Sequence, residues 1–95
     1  MEDRKSYLDK LAASMKEWDA EIQKLEAKAE GAEADLKKEY QNKIEELRSK
    51  KTEAQEKYEE LKDSREDAWE QLKEGIEKTW ETMTDSIKKA INEFK

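Results

Sequence analysis

The chain has 95 residues, of which 34% are hydrophobic and 48% are charged, and its net charge is −6. A chain this short and polar has room for one small domain at most and predicts no large globular core. Histidine and cysteine are absent, so the usual side chains of acid-base catalysis, thiol chemistry and zinc or haem ligation are missing. We therefore predict a protein that is not an enzyme and that uses no cofactor or metal.

The charge balance and the distribution of apolar residues argue against two kinds of partner. Acidic residues outnumber basic ones by 26 to 20, whereas nucleic-acid binding needs a basic face to neutralise phosphates. No uncharged stretch approaches the roughly 18 residues of a membrane span, and residues 1–10 lack the apolar segment of a secretion signal. We expect a cytoplasmic protein with no nucleic-acid partner and no transmembrane segment.

An apolar side chain recurs every three or four residues from Leu8 to Phe94, and such spacing is typical of one face of an α-helix. This apolar stripe consists of Leu8, Leu11, Met15, Trp18, Ile22, Leu25, Ala29, Ala32, Leu36, Tyr40, Ile44, Leu47, Ala54, Tyr58, Leu61, Trp69, Leu72, Ile76, Trp80, Met83, Ile87, Ile91 and Phe94. Proline is absent, which favours long helices. We predict an all-α protein, a single elongated helical coiled-coil domain over residues 1–95 with one or two very long amphipathic helices.

The period of the stripe changes along the chain. From Leu8 to Leu36 it alternates three and four, which is the heptad pattern of a coiled coil. From Tyr58 to Phe94 it repeats every eleven residues, about 3.67 per turn, which predicts a nearly straight helix. The eleven-residue column crosses Gly31 and the polar residues 63–67 without losing register. We therefore favour continuous helix through both places.

A helical hairpin or a three-helix bundle is the alternative fold. In that interpretation residues 27–34 form a turn, with Gly31 as the C-cap of the first helix. Ser64 and Asp67 then form an imperfect capping box that opens a last helix.

Two positive charges interrupt the stripe, at Lys51 and Arg65. Charged residues at seam positions can specify register or partner at a cost in stability. The alternative is that both side chains extend to the edge of the apolar face and have no specific partner.

The three tryptophans are the first candidates for partner binding, because aromatic side chains anchor interfaces. The last third of the chain also carries the bulkiest part of the stripe. We predict that the partner-binding residues are Trp18, Trp69, Leu72, Ile76, Trp80, Met83, Ile87, Ile91 and Phe94. The alternative is ordinary packing of the same residues in a helical seam.

Three local features carry a resemblance to a known family: the segment Trp18–Ile22, the alanine-rich stretch around Gly31, and the segment Asp67–Trp69. In these features, and over most of its length, the chain resembles small bacterial coiled-coil-domain proteins. That resemblance implies a soluble bacterial helix with no assigned activity. The eleven-residue repeat is also similar to the amphipathic helices of apolipoproteins and of late-embryogenesis-abundant stress proteins.

These patterns lead to two functional hypotheses. The first is a non-catalytic interaction protein, which pairs with itself or docks on a larger protein as an accessory or assembly subunit, because burying the stripe would stabilise it. The second is reversible coating of a lipid or hydrophobic granule surface through residues 69–94. The acidic polar face weakens the second hypothesis, since anionic lipids would repel it.

Overall fold

A computed structural model describes residues 3–95, which form three α-helices joined by two short turns. The helices are α1 (Arg4–Glu30), α2 (Ala34–Lys62) and α3 (Glu66–Glu93). The all-α prediction is confirmed, and the three-helix bundle is the alternative that fits. The preferred expectation of one or two very long helices is wrong, because the chain turns at residues 31–33 and again at residues 63–65.

Cross-helix contacts show that α2 runs antiparallel to both of its neighbours. Asp19, in the middle of α1, accepts a hydrogen bond from Lys51 Nζ in the second half of α2 at 2.8 Å. Tyr40, near the start of α2, stacks on Phe94 after the end of α3, with ring centroids 4.0 Å apart. Short turns between helices favour such antiparallel neighbours.

Two aromatic pairs show that α1 and α3 run parallel. Tyr7 contacts Trp69 near the start of both helices, with ring centroids 5.8 Å apart. Further along, Trp18 contacts Trp80 at 4.9 Å. The sequence separation is the same in both pairs, so the two helices keep one register. The result is an up-down-up bundle that measures 51 × 18 × 17 Å.

The first turn follows the alternative prediction at its cap, but it is shorter than the predicted residues 27–34, because α1 continues to Glu30 and α2 begins at Ala34. Gly31 is the C-cap of α1, and its N–H donates to the carbonyl of Lys28 at 3.2 Å. The N–H of Ala32 donates in the same way to the carbonyl of Ala29. Gly31 has a φ of −93°, so this turn does not require the left-handed conformation that favours glycine.

The second turn differs from the alternative prediction in its details. Arg65, not Ser64, is the N-cap of α3, and it makes no side-chain cap hydrogen bond. The Ser64 hydroxyl instead donates backwards to the carbonyl of Leu61 at 2.6 Å. The capping box expected from Ser64 and Asp67 is therefore wrong, because the serine hydroxyl is used at the end of α2.

Arg4 holds this second turn against the start of α1. Its guanidinium donates to the carbonyls of Leu61 at 3.2 Å and Lys62 at 3.1 Å, and to the carbonyl of Ser64. The same group lies 4.6 Å from the centre of the Trp69 ring. The last carbonyls of a helix lack intrahelical partners, so Arg4 satisfies the end of α2 and joins all three helices.

The interior of the bundle is built almost entirely from the apolar stripe. Among the described residues, the buried hydrophobic side chains are Leu11, Trp18, Ile22, Leu25, Ala29, Tyr40, Leu47, Ala54, Leu61, Ile76, Trp80, Met83, Ile87, Ala90 and Phe94. Ala90 is the only one of these that the stripe does not contain. Within residues 3–95, Leu36 is the exposed large hydrophobic residue, at 43%. The chain therefore covers most of its stripe with its own helices.

The structure also bears on the membrane expectation. Within residues 3–95, no helix combines the length and the apolar character needed to span a bilayer.

Candidate functional site

Most of the predicted partner-binding residues lie inside the bundle. Six of the nine are buried against the chain's own helices, namely Trp18, Ile76, Trp80, Met83, Ile87 and Phe94. Trp69, Leu72 and Ile91 are partly buried and pack against this core. A partner could reach the six buried side chains only at their edges unless the bundle opened.

Trp69 has a structural environment of its own. The Arg4 guanidinium lies over its ring, and the Tyr7 ring meets it in a T-shaped arrangement. Lys73 Nζ lies 4.7 Å from the centre of the Tyr7 ring. Cation-π contacts of this kind contribute about 0.5–1 kcal/mol each at exposed sites. Trp69 thus has an evident role in holding the ends of the helices together.

Three of the predicted residues come together at the surface between α1 and α3. Trp18 on α1 and Ile87 and Ile91 on α3 line a groove of about 470 Å³. We call this the α1/α3 groove. Ile91 is partly exposed there, so the floor of the groove presents apolar surface to the outside.

The two sides of the α1/α3 groove are polar, and their charges differ. Glu17 and Glu21 line it on α1, and Lys88 lines it on α3. Ser14 and Thr84 complete its polar sides. Glu17 and Lys88 have no hydrogen-bond or ion-pair partner within residues 3–95. The groove therefore has an apolar floor between two charged edges, one of which is acidic and the other basic.

The surfaces between the other helix pairs are bridged by polar contacts. An ion pair between Arg48 and Glu26 crosses from α2 to α1. Lys50 Nζ donates to the Ser86 hydroxyl across α2 and α3 at 3.1 Å. The Tyr7 hydroxyl also contacts Glu77 between α1 and α3 at 3.5 Å, but neither residue lines the α1/α3 groove. We choose the α1/α3 groove as the candidate site because Glu17 and Lys88 are unpaired there.

The tryptophan pair beneath the α1/α3 groove fixes its floor. The Trp18 and Trp80 rings meet at an interplanar angle of 53°, a tilted arrangement of the kind that aromatic pairs favour. Trp80 Nε1 is buried without a hydrogen-bond partner among the described residues. A buried donor without a partner lowers the stability of the folded protein by about 1–3 kcal/mol.

The sequence analysis identified the floor of the groove and missed its edges. Glu17 and Lys88 are adjacent in sequence to Trp18 and Ile87, but the stripe described only the apolar positions. The charged residues that flank the stripe were a further signal in the sequence. That signal alone could not show that Glu17 and Lys88 lie on opposite sides of one groove, because this depends on the parallel register of α1 and α3.

The groove holds groups suited to binding. Carboxylates, an ammonium group and apolar carbons are the components of protein interfaces, in which an apolar centre lies within a polar rim. Within residues 3–95, no three potential metal-ligating side chains form a cluster.

Comparison of the chain with protein-family models, with curated proteins and with solved structures gives no match. The resemblance to small bacterial coiled-coil-domain proteins therefore stays a prediction.

Proposed function

We propose that this protein is a cytoplasmic, non-catalytic interaction protein that binds a helical protein surface along the α1/α3 groove. The partner is a second copy of the chain or a larger protein that it serves as an accessory or assembly subunit. The observation that carries the proposal is the groove itself, with Trp18, Ile87 and Ile91 at its floor and unpaired charges at its edges.

The reason for binding in this proposal differs from the one that the apolar stripe suggested. The stripe alone predicted a helix that needed an external surface to cover it. In the bundle, residues such as Ile22 and Leu47 are fully buried within the chain, so folding already supplies that cover. Binding is left to the partly exposed apolar surface, which in the groove lies between unpaired charges.

The groove has the right form for a helix. It runs between two parallel helices, and a third helix that lies between two others buries apolar side chains at i, i+3, i+4 and i+7. Desolvation of the floor favours binding, and the charged edges favour one orientation of the partner over another.

Site-specific photo-crosslinking tests the proposal. A photoreactive phenylalanine derivative replaces Ser14 in the groove, and a control variant carries it in place of Glu56, which is exposed on α2. We expect a discrete protein adduct in native cell extract from position 14 and none from position 56. The crosslinked protein is identified, purified and mixed with the unmodified chain, and one-to-one binding is measured by calorimetry.

The variant Ile91→Lys provides the second half of this test. It adds a charge at the floor of the groove, and circular dichroism verifies that the bundle keeps its helix content. We expect loss of both the adduct and the calorimetric binding. Equal crosslinking from both positions, or binding that Ile91→Lys leaves unchanged, would contradict the proposal.

Coating of a lipid or granule surface needs a different state of the protein. The apolar residues of α3 on which that hypothesis rests, such as Ile76 and Met83, are each 1% exposed in the bundle. The helix would have to leave the bundle before it met a lipid. The protein-binding proposal needs no such opening, and it predicts that phosphatidylcholine vesicles leave the tryptophan emission unchanged.

A further inference from the structure

The α1 side of the groove carries its charges in two separate halves. Glu17 and Glu21 line the groove, and Lys24 and Lys28 follow them at the same three- or four-residue spacing. Residues so spaced lie along one side of a helix. Lys10 precedes them on the same side of α1, so the division holds for residues 14–28, in which Glu17 and Glu21 form an acidic half and Lys24 and Lys28 form a basic half.

The α3 side has the same division. Glu77, Glu81, Thr84 and Lys88 follow one another at the same spacing, and the last two line the groove. The Tyr7 hydroxyl lies 3.5 Å from a Glu77 carboxylate oxygen across to α1, which places this row of side chains on the side of α3 that faces α1.

The parallel register brings the matching halves to the same level. Because Trp80 lies beside Trp18, Glu81 lies level with the acidic half of α1. Lys88, two turns further on, lies level with the basic half of α1. We call the surface formed by residues 14–28 of α1 and residues 77–88 of α3 the α1/α3 face. Its half nearer the second turn is acidic, and its half nearer the first turn is basic. Lys10 and Lys73 lie beyond this face, closer to the second turn.

A face with one acidic half and one basic half is complementary to itself when two copies meet in opposite directions. We propose that the α1/α3 face binds a second copy of this chain in an antiparallel, two-fold symmetric dimer. This inference rests on the proposed function and names its partner. In this dimer α1 and α3 lie over the same helices of the second copy, so the two grooves face each other and neither groove holds a helix. In such an interface the same patch is used by both copies.

The charges of α1 match their own symmetry mates residue by residue. A two-fold axis that crosses the face between Glu21 and Lys24 sets Glu21 opposite Lys24 of the second copy. The same axis sets Glu17 opposite Lys28 of the second copy. Lys24 already pairs with Glu21 within α1 at 3.3 Å, but this pair is exposed and can be exchanged for the intermolecular ones at little cost.

The charges of α3 obey the same axis. Glu81 and Lys88 lie at equal distances on either side of it, so Glu81 faces Lys88 of the second copy. A parallel dimer would instead place the acidic halves of the two copies together, and like charges in contact disfavour an interface. The charge pattern therefore selects the antiparallel orientation.

The size of the contact predicts a weak dimer. In this register about 16 residues of α1 and about 18 residues of α3 overlap with their symmetry mates, which is roughly 25 Å of length, and the bundle is 18 Å wide. Two such faces bury about 900 Å² in total, slightly less than most specific interfaces bury. Ion pairs at the edges of so small an interface are screened by salt, so the dimer should dissociate as the salt concentration rises.

Light scattering coupled to size-exclusion chromatography tests the inference on the purified full chain. We expect a concentration-dependent dimer at low salt and a monomer at about 1 M salt, where the screening length is near 3 Å. One variant carries Glu17→Lys with Glu21→Lys, and a second carries Lys24→Glu with Lys28→Glu. Each variant alone should be monomeric, and an equimolar mixture of the two should form a heterodimer.

A matched control separates this surface from a general effect of charge. Glu56→Lys with Glu60→Lys makes the same change in net charge as Glu17→Lys with Glu21→Lys, on exposed positions of α2, and should dimerise like the wild type. Circular dichroism verifies that every variant is folded. A wild type that stays monomeric at every concentration overturns the inference, and so does a dimer that both charge reversals leave intact.

The two proposals fail in different ways. A purified chain that is monomeric, together with a position-14 adduct to a different protein, overturns the dimer and leaves the proposed function standing. Neither a dimer nor any position-specific adduct overturns both.

Discussion

Lys51 is one of the two charged residues that interrupt the apolar stripe, and in the bundle it forms an ion pair. Its side chain is 22% exposed and its Nζ lies 2.8 Å from Asp19 Oδ1 on α1. The hydrogen bond from Lys51, and then its charge, lower the pKa of Asp19 below the ordinary value of 3.8. Of the two alternatives at this position, a specific pair is the one seen, and the pair matches the antiparallel register of α1 and α2. Arg65, the other interruption, lies in the second turn and outside the helical seam.

This pair predicts a pH dependence of stability. A carboxyl whose pKa is lowered on folding stabilises the bundle above its unfolded pKa and loses that contribution as pH falls through its folded pKa. Lys51→Met removes the main cause of the shift, so acidification from about pH 7 to about pH 2 should cost this variant less free energy of unfolding than the wild type. Urea unfolding at both pH values measures the difference.

The control for this variant is Lys38→Met, at an exposed position of α2. It should lose as much stability on acidification as the wild type does. If Lys51→Met loses as much free energy of unfolding on acidification as the wild type, the pair of Asp19 and Lys51 does not contribute to the pH dependence of stability.

Gly75 offers a second test at the residue scale. It lies inside α3, it is exposed, and a Cβ built on it meets no atom within 4 Å. Glycine inside a helix costs about 0.5–1 kcal/mol relative to alanine, so Gly75→Ala should raise the free energy of unfolding by that amount. Gly31→Ala, at the C-cap outside the helix interior, should have a smaller effect. A destabilised Gly75→Ala variant in urea unfolding would mean that this part of α3 is not regular helix.

At the scale of the elements, the three helices begin in different ways. Asp3 caps α1 by accepting a hydrogen bond from the Ser6 N–H at 2.7 Å. The N-caps of α2 and α3 are Glu33 and Arg65, and neither makes a side-chain cap. Two of the three helices are therefore held in place by packing and by contacts such as those of Arg4.

The uncapped start of α3 predicts a simple stabilising change. Serine at an N-cap accepts a hydrogen bond from the first turn, worth about 1 kcal/mol relative to alanine. Arg65→Ser should therefore raise the midpoint of thermal unfolding above that of Arg65→Ala. Equal midpoints for the two variants would show that residue 65 is not the N-cap.

The positions of the turns mark the limit of what periodicity can predict. The stripe identified nearly all buried residues because burial requires a side chain to face the core, whichever way the helix runs. Ala29 and Tyr40 are eleven residues apart and both are buried, yet Gly31 ends a helix between them. A three-residue turn leaves the inward spacing unchanged, so an unbroken register does not distinguish a straight helix from a reversal.

The features that the sequence did not predict depend on contacts between residues far apart in the chain. Arg4 lies 57 residues from Leu61 in sequence, and its bond to that carbonyl follows no local pattern. The same holds for the register of α1 against α3, which brings Glu17 and Lys88 to one groove. The floor of the candidate site was predictable from the apolar stripe, whereas its charged edges needed the fold.

For the whole molecule, the central question is which surface covers the stripe. An apolar face is equally well satisfied by another helix of the same chain or by another protein, so the sequence pattern predicts burial and does not identify the cover. In the bundle α2 packs against both other helices, and the interior includes side chains from all three. The partner binding that we propose therefore uses the partly exposed apolar surface of the α1/α3 groove and the charges beside it.

Small-angle X-ray scattering on the dilute protein in high salt tests this account most directly. The bundle has a Cα radius of gyration of 15.4 Å and a longest dimension of 51 Å, and we predict a scattering radius only slightly larger. A single helix of the whole chain would be about 140 Å long. A maximum dimension above roughly 100 Å would contradict the bundle, and with it the α1/α3 groove.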